Sequence, residues 1–211
     1  MKLGDTLIGR CFVKRKEFSL VSDLNLNPEK TALVVVDLQK GVVENIKGTP
    51  YQNETVVENS VKLAKAFREK GAFVTLVHVD FHDGKDALKP ITDAPAQPTG
   101  ERPKEFSHII PELGPEESDL IVTKHQWGAF FGTDLDVQLR RRGIETVVLT
   151  GIATNIGVGV TAVEAYQRGY QQVFAIDAMN AISQDEHDYT EKYMFPRMGR
   201  IRKTEEILKA L

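Results

Sequence analysis

Three short apolar runs, each ending at a polar or glycine-rich corner, constrain the fold of this chain more than any other feature of its sequence. The runs are LVVVDLQ, LIVTKHQW and VVLTGIATNIG, and they bring Asp37, Lys124 and Gly157 to the three corners. Short β-branched runs that are bounded by turns and followed by helical patterns are typical of buried parallel strands. Ligands bind at the carboxyl edge of such open sheets. A carboxylate and an ammonium at that edge indicate an acid/base pair, and hence an enzyme.

Strand-like and helix-like segments alternate along the chain, which predicts an α/β fold. The predicted strands cover residues 31–37, 72–79, 119–123, 146–150, 173–176 and 200–201, and the predicted helices cover 54–70, 134–142, the segment from the third corner to Gly169, 187–195 and 204–211. Such alternation requires right-handed crossovers and helices on both faces of the sheet. We predict a three-layer, doubly wound, mainly parallel six-stranded sheet in the order 3-2-1-4-5-6. This order places Asp37 opposite Gly157, and Lys124 has to reach inward from the third strand.

The 211-residue length fits one α/β domain with a full core. We expect a single domain over residues 1–211, with an N-terminal arm over 1–28 that carries no clear period. Residues 81–117 are rich in Pro, Asp and Gly, which is typical of a long surface loop. Loops of this kind often cover active sites, so we expect this segment to act as a lid.

The charge balance excludes several classes of partner. Lys and Arg number 27 against 30 Asp and Glu, and the two signs are interspersed, which argues against binding to nucleic acid or to a membrane surface. The single cysteine, Cys11, excludes an internal disulfide framework, and no apolar run is long enough for a signal peptide or a membrane span. We therefore expect a cytoplasmic protein that acts on a small molecule.

The third corner also permits a rival interpretation as a dinucleotide site. Gly157, Gly159 and Ala162 match the pattern GxGxxA after a strand, and Asp177 follows 20 residues after Gly157. Against this, residues 152–156 separate the strand from the first glycine, and the fingerprint normally follows the first strand of a half-domain rather than the fourth. We favour a site without a cofactor.

The motifs VVVDLQ, VTKHQWGAFFGTDLDVQLRRRGI and VVLTGIATNIGVGVTAVEAYQRGY together resemble the isochorismatase-like hydrolase superfamily. The resemblance extends over residues 31–211 and implies the doubly wound fold and a homo-oligomer, either a dimer or a tetramer. In most relatives, including nicotinamidases and carbamoylsarcosine amidases, it implies a triad of Asp, Lys and Cys. Here the matching positions hold Asp37, Lys124 and Gly157. The chain thus resembles the branch that lacks the cysteine, to which true isochorismatases also belong.

Glycine at the nucleophile position disfavours the covalent amidase route, because Gly157 has no atom that could attack a carbonyl. Hydrolysis of a vinyl ether needs no nucleophilic side chain, since protonation of the vinyl carbon gives an oxocarbenium ion that water captures. Asp37 would supply that proton if burial raises its pKa, and Lys124 would orient it or hold a substrate carboxylate. Burial and the nearby ammonium act on the Asp37 pKa in opposite directions, so the sequence leaves its protonation state open.

The resemblance also implies substrate contacts. The loop over residues 152–157 is expected to contain a non-proline cis peptide between Ile152 and Ala153, with the amides of Ile156 and Gly157 facing a substrate oxygen. An aromatic cluster beside the lysine fits either a planar substrate wall or core packing. The candidate substrate-binding residues are Gln39, His78, Trp127, Phe130, Asn155 and Ile156.

Two alternatives to the vinyl-ether hydrolase remain open at this stage. An amidase that uses activated water would need a metal or a general base near Asp80 and His82, which form a partial metal motif that His108 could extend. Two of three ligands do not make a zinc site, so we expect no metal. A catalytically silent binding protein could also arise by loss of the nucleophile, although the presence of both Asp37 and Lys124 argues against it.

Overall fold

The computed structural model of the protein describes residues 24–93 and 103–211. Its centre is a six-stranded sheet in which every neighbouring pair is parallel, in the order β3-β2-β1-β4-β5-β6. The strands are β1 Thr31–Val36, β2 Phe73–Val79, β3 Leu120–Lys124, β4 Thr146–Ile152, β5 Gln171–Asn180 and β6 Arg200–Arg202. The predicted strand order and fold class are confirmed.

Helices cover both faces of the sheet. They are α1 Lys40–Val43, α2 Asn53–Glu69, α3 Leu135–Arg141, α4 Gly157–Gln167, α5 Gln184–Tyr189 and α6 Thr204–Ala210. Short 3-10 turns lie at Pro28–Lys30, Pro111–Leu113 and Phe195–Arg197, and one π-helical turn lies at Thr190–Met194. Within the described residues, none of the helices combines the length and the apolar character that crossing a bilayer requires.

Each face of the sheet has its own core, because successive side chains of a strand point to opposite faces. Leu33 of β1 packs in a cluster with Phe67 of α2, whereas the next residue, Val34, packs in a second cluster with Leu139 of α3 and Ala162 of α4. All six residues of β1 are buried. This double burial explains why the strand has a continuous apolar run and lacks the alternation of a half-exposed strand.

Two predicted elements need correction, and one short helix was not predicted. β5 extends over ten residues, well beyond the predicted 173–176, because polar Asp177 interrupts its apolar run and a register shift opposite Leu149 and Gly151 lets the strand continue to Asn180. α5 begins at Gln184 rather than at residue 187, since Ser183 and Glu186 form a capping box. α1 was not predicted, because four residues carry no helical period.

Part of the predicted long loop packs against the sheet and does not run over the surface. Ile109 forms an antiparallel bridge with Gln39, and the Ile110 amide donates to the Leu38 carbonyl at 3.1 Å. Residues 1–23 of the predicted arm and residues 94–102 of the predicted lid lie outside the described residues. The lid, the arm and the single-domain organisation therefore stay predictions.

Candidate active site

Two buried charged side chains meet at the carboxyl edge of the sheet. Asp37 follows β1 directly, and Lys124 is the last residue of β3, with β2 between them. The Lys124 Nζ donates a hydrogen bond to Asp37 Oδ2 at 2.7 Å, and the two side chains are 2% and 9% exposed. Lys124 therefore reaches inward past β2, as the strand order requires.

The backbone of Asp37 turns sharply out of the strand. Its φ angle is 56°, in the left-handed region that few residues other than glycine adopt and that Asp tolerates better than most. The Asp37 amide still donates to the Val77 carbonyl of β2 at 2.9 Å. This turn ends the pairing of β1 and directs the carboxylate across the sheet edge.

The two carboxylate oxygens of Asp37 have different surroundings. Oδ2 accepts from Lys124, whereas the buried Oδ1 has no hydrogen-bond partner among the described residues. Burial raises the Asp37 pKa to about 6, and the attraction of Lys124 and His78 opposes this rise without cancelling it. Burial therefore outweighs the ammonium, and a substantial neutral fraction of the carboxyl exists near pH 6.

Lys124 has a second acceptor in the segment that follows it. Its Nζ also donates to the carbonyl of Trp127 at 2.6 Å. An ammonium has three donors, and the protein uses two of them here. These two bonds fix the position of the ammonium beside the carboxyl.

Gly157 begins α4 directly opposite this ion pair. A Cβ atom at Gly157 would lie 2.7 Å from Asp37 Oδ2 and 3.2 Å from Val36 Cγ1. The carboxylate thus occupies the space into which a side chain at Gly157 would project.

The loop between β4 and α4 forms the third side of the site. Its Ile152–Ala153 peptide is cis, and Gly151 has a φ of 121°, at a point where a Cβ would overlap the Val36 carbonyl. The Ile156 amide donates to the Ala153 carbonyl at 3.1 Å, so it is already engaged. The Gly157 amide has no acceptor among the described residues and is the better candidate for contact with a substrate oxygen.

Comparison with known proteins identifies the family. The model of the isochorismatase domain matches residues 31–206 of this chain. The chain belongs to the isochorismatase family.

Individual members of the isochorismatase family align over most of the chain. The uncharacterized isochorismatase family protein YwoC of Bacillus subtilis (strain 168) is 54% identical over 190 residues, which cover 90% of this chain and 98% of YwoC. The structure of an isochorismatase family protein from Burkholderia thailandensis has a TM-score of 0.85 at 46% identity and covers 90% of this chain and 99% of its own. The isochorismatase of Bacillus subtilis (strain 168) is 28% identical over 185 residues, which cover 88% of this chain and 59% of that protein.

Two of the residues that we expected to bind substrate are engaged inside the protein. Gln39 is fully buried, and its amide bonds the main chain of Val79 at both N–H (2.7 Å) and C=O (3.0 Å), as well as the Phe106 carbonyl at 2.9 Å. Phe130 is 3% exposed and packs against Tyr170 with ring centroids 5.8 Å apart. Their burial indicates that both residues support the site in this isochorismatase-family protein, and their contact with substrate stays a prediction.

The other candidate substrate-binding side chains differ in their exposure. Trp127 is 63% exposed beside the lysine. His78 is half-buried, and its Nδ1 lies 2.7 Å from the Ser107 carbonyl, which can only accept, so Nδ1 carries a proton. The Asn155 Oδ1 atom is buried and has no partner among the described residues.

The residues of the partial metal motif do not converge. Asp80 Oδ1 accepts from the Phe81 amide at 2.9 Å, while His82 and His108 are exposed. Among residues 24–93 and 103–211, no group of three or more His, Cys, Asp or Glu has the arrangement of a metal site. Asp177 of the rival dinucleotide pattern accepts from the Thr204 amide and hydroxyl at 2.7 and 2.8 Å, so it links β5 to α6.

Two surface concavities lie away from Asp37 and Lys124. One, of about 420 Å³, is at the amino edge of the sheet between Phe73 and Arg142. The other, of about 430 Å³, lies between Lys40, Glu54 and Pro111. Asp37 lines neither, and we assign the site to the buried ion pair because the reactive groups are there.

Sequence reasoning missed one set of residues beside the site. Thr154 of the loop contacts His187 of α5 and Asn180 of β5. These partners are about 30 residues away along the chain and belong to different elements, and no motif or spacing signals such a contact.

Proposed function

We propose that this protein hydrolyses a vinyl ether of a small anionic molecule, with isochorismate as the first substrate to test, by acid catalysis from Asp37. The observation that carries the proposal is the Asp37 carboxyl. It is buried, its pKa is raised to about 6, and its Oδ1 atom has no partner among the described residues. A general acid works best with a pKa near the working pH, which is the range in which burial places this group.

The proton transfer starts at Asp37. The protonated carboxyl gives its proton to the terminal vinyl carbon, which leaves a carboxylate on Asp37 and an oxocarbenium ion on the substrate. Water adds to that cation and returns a proton to the carboxylate. The resulting hemiketal breaks its C–O bond to the ring oxygen and releases an alcohol and pyruvate.

The partners of the acid have electrostatic roles. Lys124, held by Asp37 and by the Trp127 carbonyl, stabilises the carboxylate that forms after proton transfer. The Gly157 amide at the start of α4 suits an anionic oxygen of the substrate. Because Gly157 has no side chain, a covalent thioester route is closed, and the similarity to the Bacillus subtilis isochorismatase favours the vinyl-ether class.

Turnover of isochorismate by purified protein, followed by pyruvate release, tests the proposal. We expect the wild type to be active and Asp37→Asn to lose at least about a hundredfold, the scale of a lost general acid. Asp119→Asn is a matched control, because Asp119 forms a buried 2.6 Å pair with Arg68 at the opposite edge of the sheet. The control should keep its activity.

Other outcomes point to the alternatives. A wild type that releases no pyruvate from isochorismate removes that substrate, and release of ammonia from amides with sensitivity to chelators would indicate the amidase with activated water. Ligand binding without turnover in both wild type and Asp37→Asn would indicate the silent binding protein. The expected cytoplasmic location and the dimer or tetramer stay predictions.

A further inference from the structure

Four buried or half-buried residues form a closed ring of contacts behind the loop between β4 and α4. The Thr154 amide donates to the Asn180 carbonyl at 2.7 Å. The Asn180 side chain bonds the main chain of Tyr51 twice, accepting from its N–H at 3.0 Å and donating to its C=O at 2.9 Å. The Tyr51 ring meets the His187 ring edge-on with centroids 6.3 Å apart. The His187 Nδ1 atom completes this closed ring of contacts through a 2.9 Å hydrogen bond with Thr154 Oγ1.

This ring holds the loop at its middle residue. Thr154 is fully buried, and its amide and hydroxyl are both held by hydrogen bonds, to the Asn180 carbonyl and to His187. Its neighbour Ala153 accepts from the amides of Ile156 and Val158 at 3.1 and 3.0 Å. A displacement of Thr154 therefore passes through this turn to the start of α4, where the built Cβ position of Gly157 lies 2.7 Å from Asp37 Oδ2.

The ring places polar side chains in the protein interior, among them Thr154, Asn180 and His187. His187 is 2% exposed, and burial lowers its pKa, which favours the neutral imidazole. A buried polar group is tolerated when its hydrogen bonds are made, and a fully satisfied network fixes one local arrangement. An apolar pair would fill the same space without fixing the orientation of the loop.

We propose that Thr154 and His187 are positioning residues, which set the Gly157 amide and the Asn155 side chain against the substrate through this ring. The inference deepens the proposed function and rests on it. Neither residue touches Asp37 or the reacting atoms. They act by orienting the loop, for which small misplacements reduce rates strongly.

Paired variants separate hydrogen bonding from packing. Thr154→Val removes the hydroxyl at similar volume, and Thr154→Ser keeps it. His187→Leu removes the imidazole and its hydrogen bond, and His187→Asn keeps a polar atom near the Nδ1 position. Thr190→Val is the matched control, because Thr190 is 3% exposed and its hydroxyl donates to the Glu186 carbonyl at 2.8 Å, outside the ring.

Hydrogen exchange of the loop amides tests the ring without any substrate. We expect faster exchange across residues 153–160 in Thr154→Val and His187→Leu, and wild-type exchange there in Thr154→Ser, His187→Asn and Thr190→Val. Equal exchange in Thr154→Val and Thr190→Val would overturn the proposal.

Kinetics with isochorismate then tests the positioning role. We expect the kcat of Thr154→Val to fall about tenfold to a hundredfold, with KM changed less than about twofold, and Thr154→Ser to recover most of it. An equal loss in Thr190→Val, or no recovery with serine, would assign Thr154 to stability alone. If the wild type itself is inactive on isochorismate, the proposed function fails, while the exchange measurement still decides whether the ring holds the loop.

Discussion

The Cβ position of Gly157 lies 2.7 Å from Asp37 Oδ2, so the carboxylate of the acid occupies the space that a side chain at this position would need. The glycine is therefore more than a missing nucleophile. It allows Asp37 to sit between Lys124 and the start of α4 in the orientation that the structure has. If position 157 carried a side chain, the Asp37 carboxylate could not keep its present position.

Gly157→Ala should test this relationship. We expect a loss of turnover of at least about tenfold, because the methyl group pushes the Asp37 carboxylate away from Lys124, on which its placement depends. The melting temperature should fall as well, because displacing the carboxylate weakens its buried pair with Lys124, so turnover is compared at a temperature at which both proteins are folded. An active variant with an unchanged crystallographic position of the carboxylate would contradict this account.

Lys124→Met should raise the Asp37 pKa above about 6, because the ammonium and its hydrogen bond lower that pKa, and burial opposed only by His78 would then remain. The carboxyl can be titrated by ¹³C NMR and assigned with Asp37→Asn. Lys30→Met is a matched control, since Lys30 forms an exposed 2.6 Å pair with Glu145 far from the site. An Asp37 pKa that falls or stays constant in Lys124→Met would show that the two groups are not coupled as the structure indicates.

Gln39→Leu should reduce stability rather than substrate affinity. The leucine removes the side-chain partner of the Val79 N–H and C=O groups and one of the donors to the Phe106 carbonyl, which keeps the Gly41 amide. Each buried unsatisfied group costs about 1–3 kcal/mol. Gln52→Leu, at an exposed residue before α2, should stay within about 0.5 kcal/mol of wild type. Chemical denaturation measures both, and a Gln39→Leu variant as stable as the control would refute the supporting role.

Phe130 and Trp127 should respond in opposite ways to truncation. Phe130→Ala is expected to cost about 3–5 kcal/mol of unfolding free energy, because the ring is buried against Tyr170. Trp127→Ala should cost less than about 1 kcal/mol, since the ring is mostly exposed, and should raise KM if the ring is the substrate wall. A stable Phe130→Ala variant with a raised KM would show that Phe130 contacts the substrate.

The order of the sheet was predictable because the central strands are continuous apolar runs and helical patterns follow most of them, as α2 follows β1. The end of β5 was not, because Asp177 breaks the run and the register shift depends on pairing with β4. Similarly, the sequence places Asp37 and Lys124 at one edge, since strand ends are local features. The role of Gln39 and the contact of Thr154 with His187 arise only from packing between distant segments.

The pH dependence of kcat/KM for isochorismate hydrolysis tests the central claim, that Asp37 acts as the proton donor. Burial raises the pKa of this carboxyl from 3.8 to about 6, so the acid form dominates below pH 6 and falls about tenfold for each pH unit above it. We expect a rate that is high near pH 5 and declines with one titration near pH 6, and we expect this decline to be absent from the residual activity of Asp37→Asn. A rate that rises through pH 6 would mean that the carboxylate acts as a base, which would contradict the proposed mechanism.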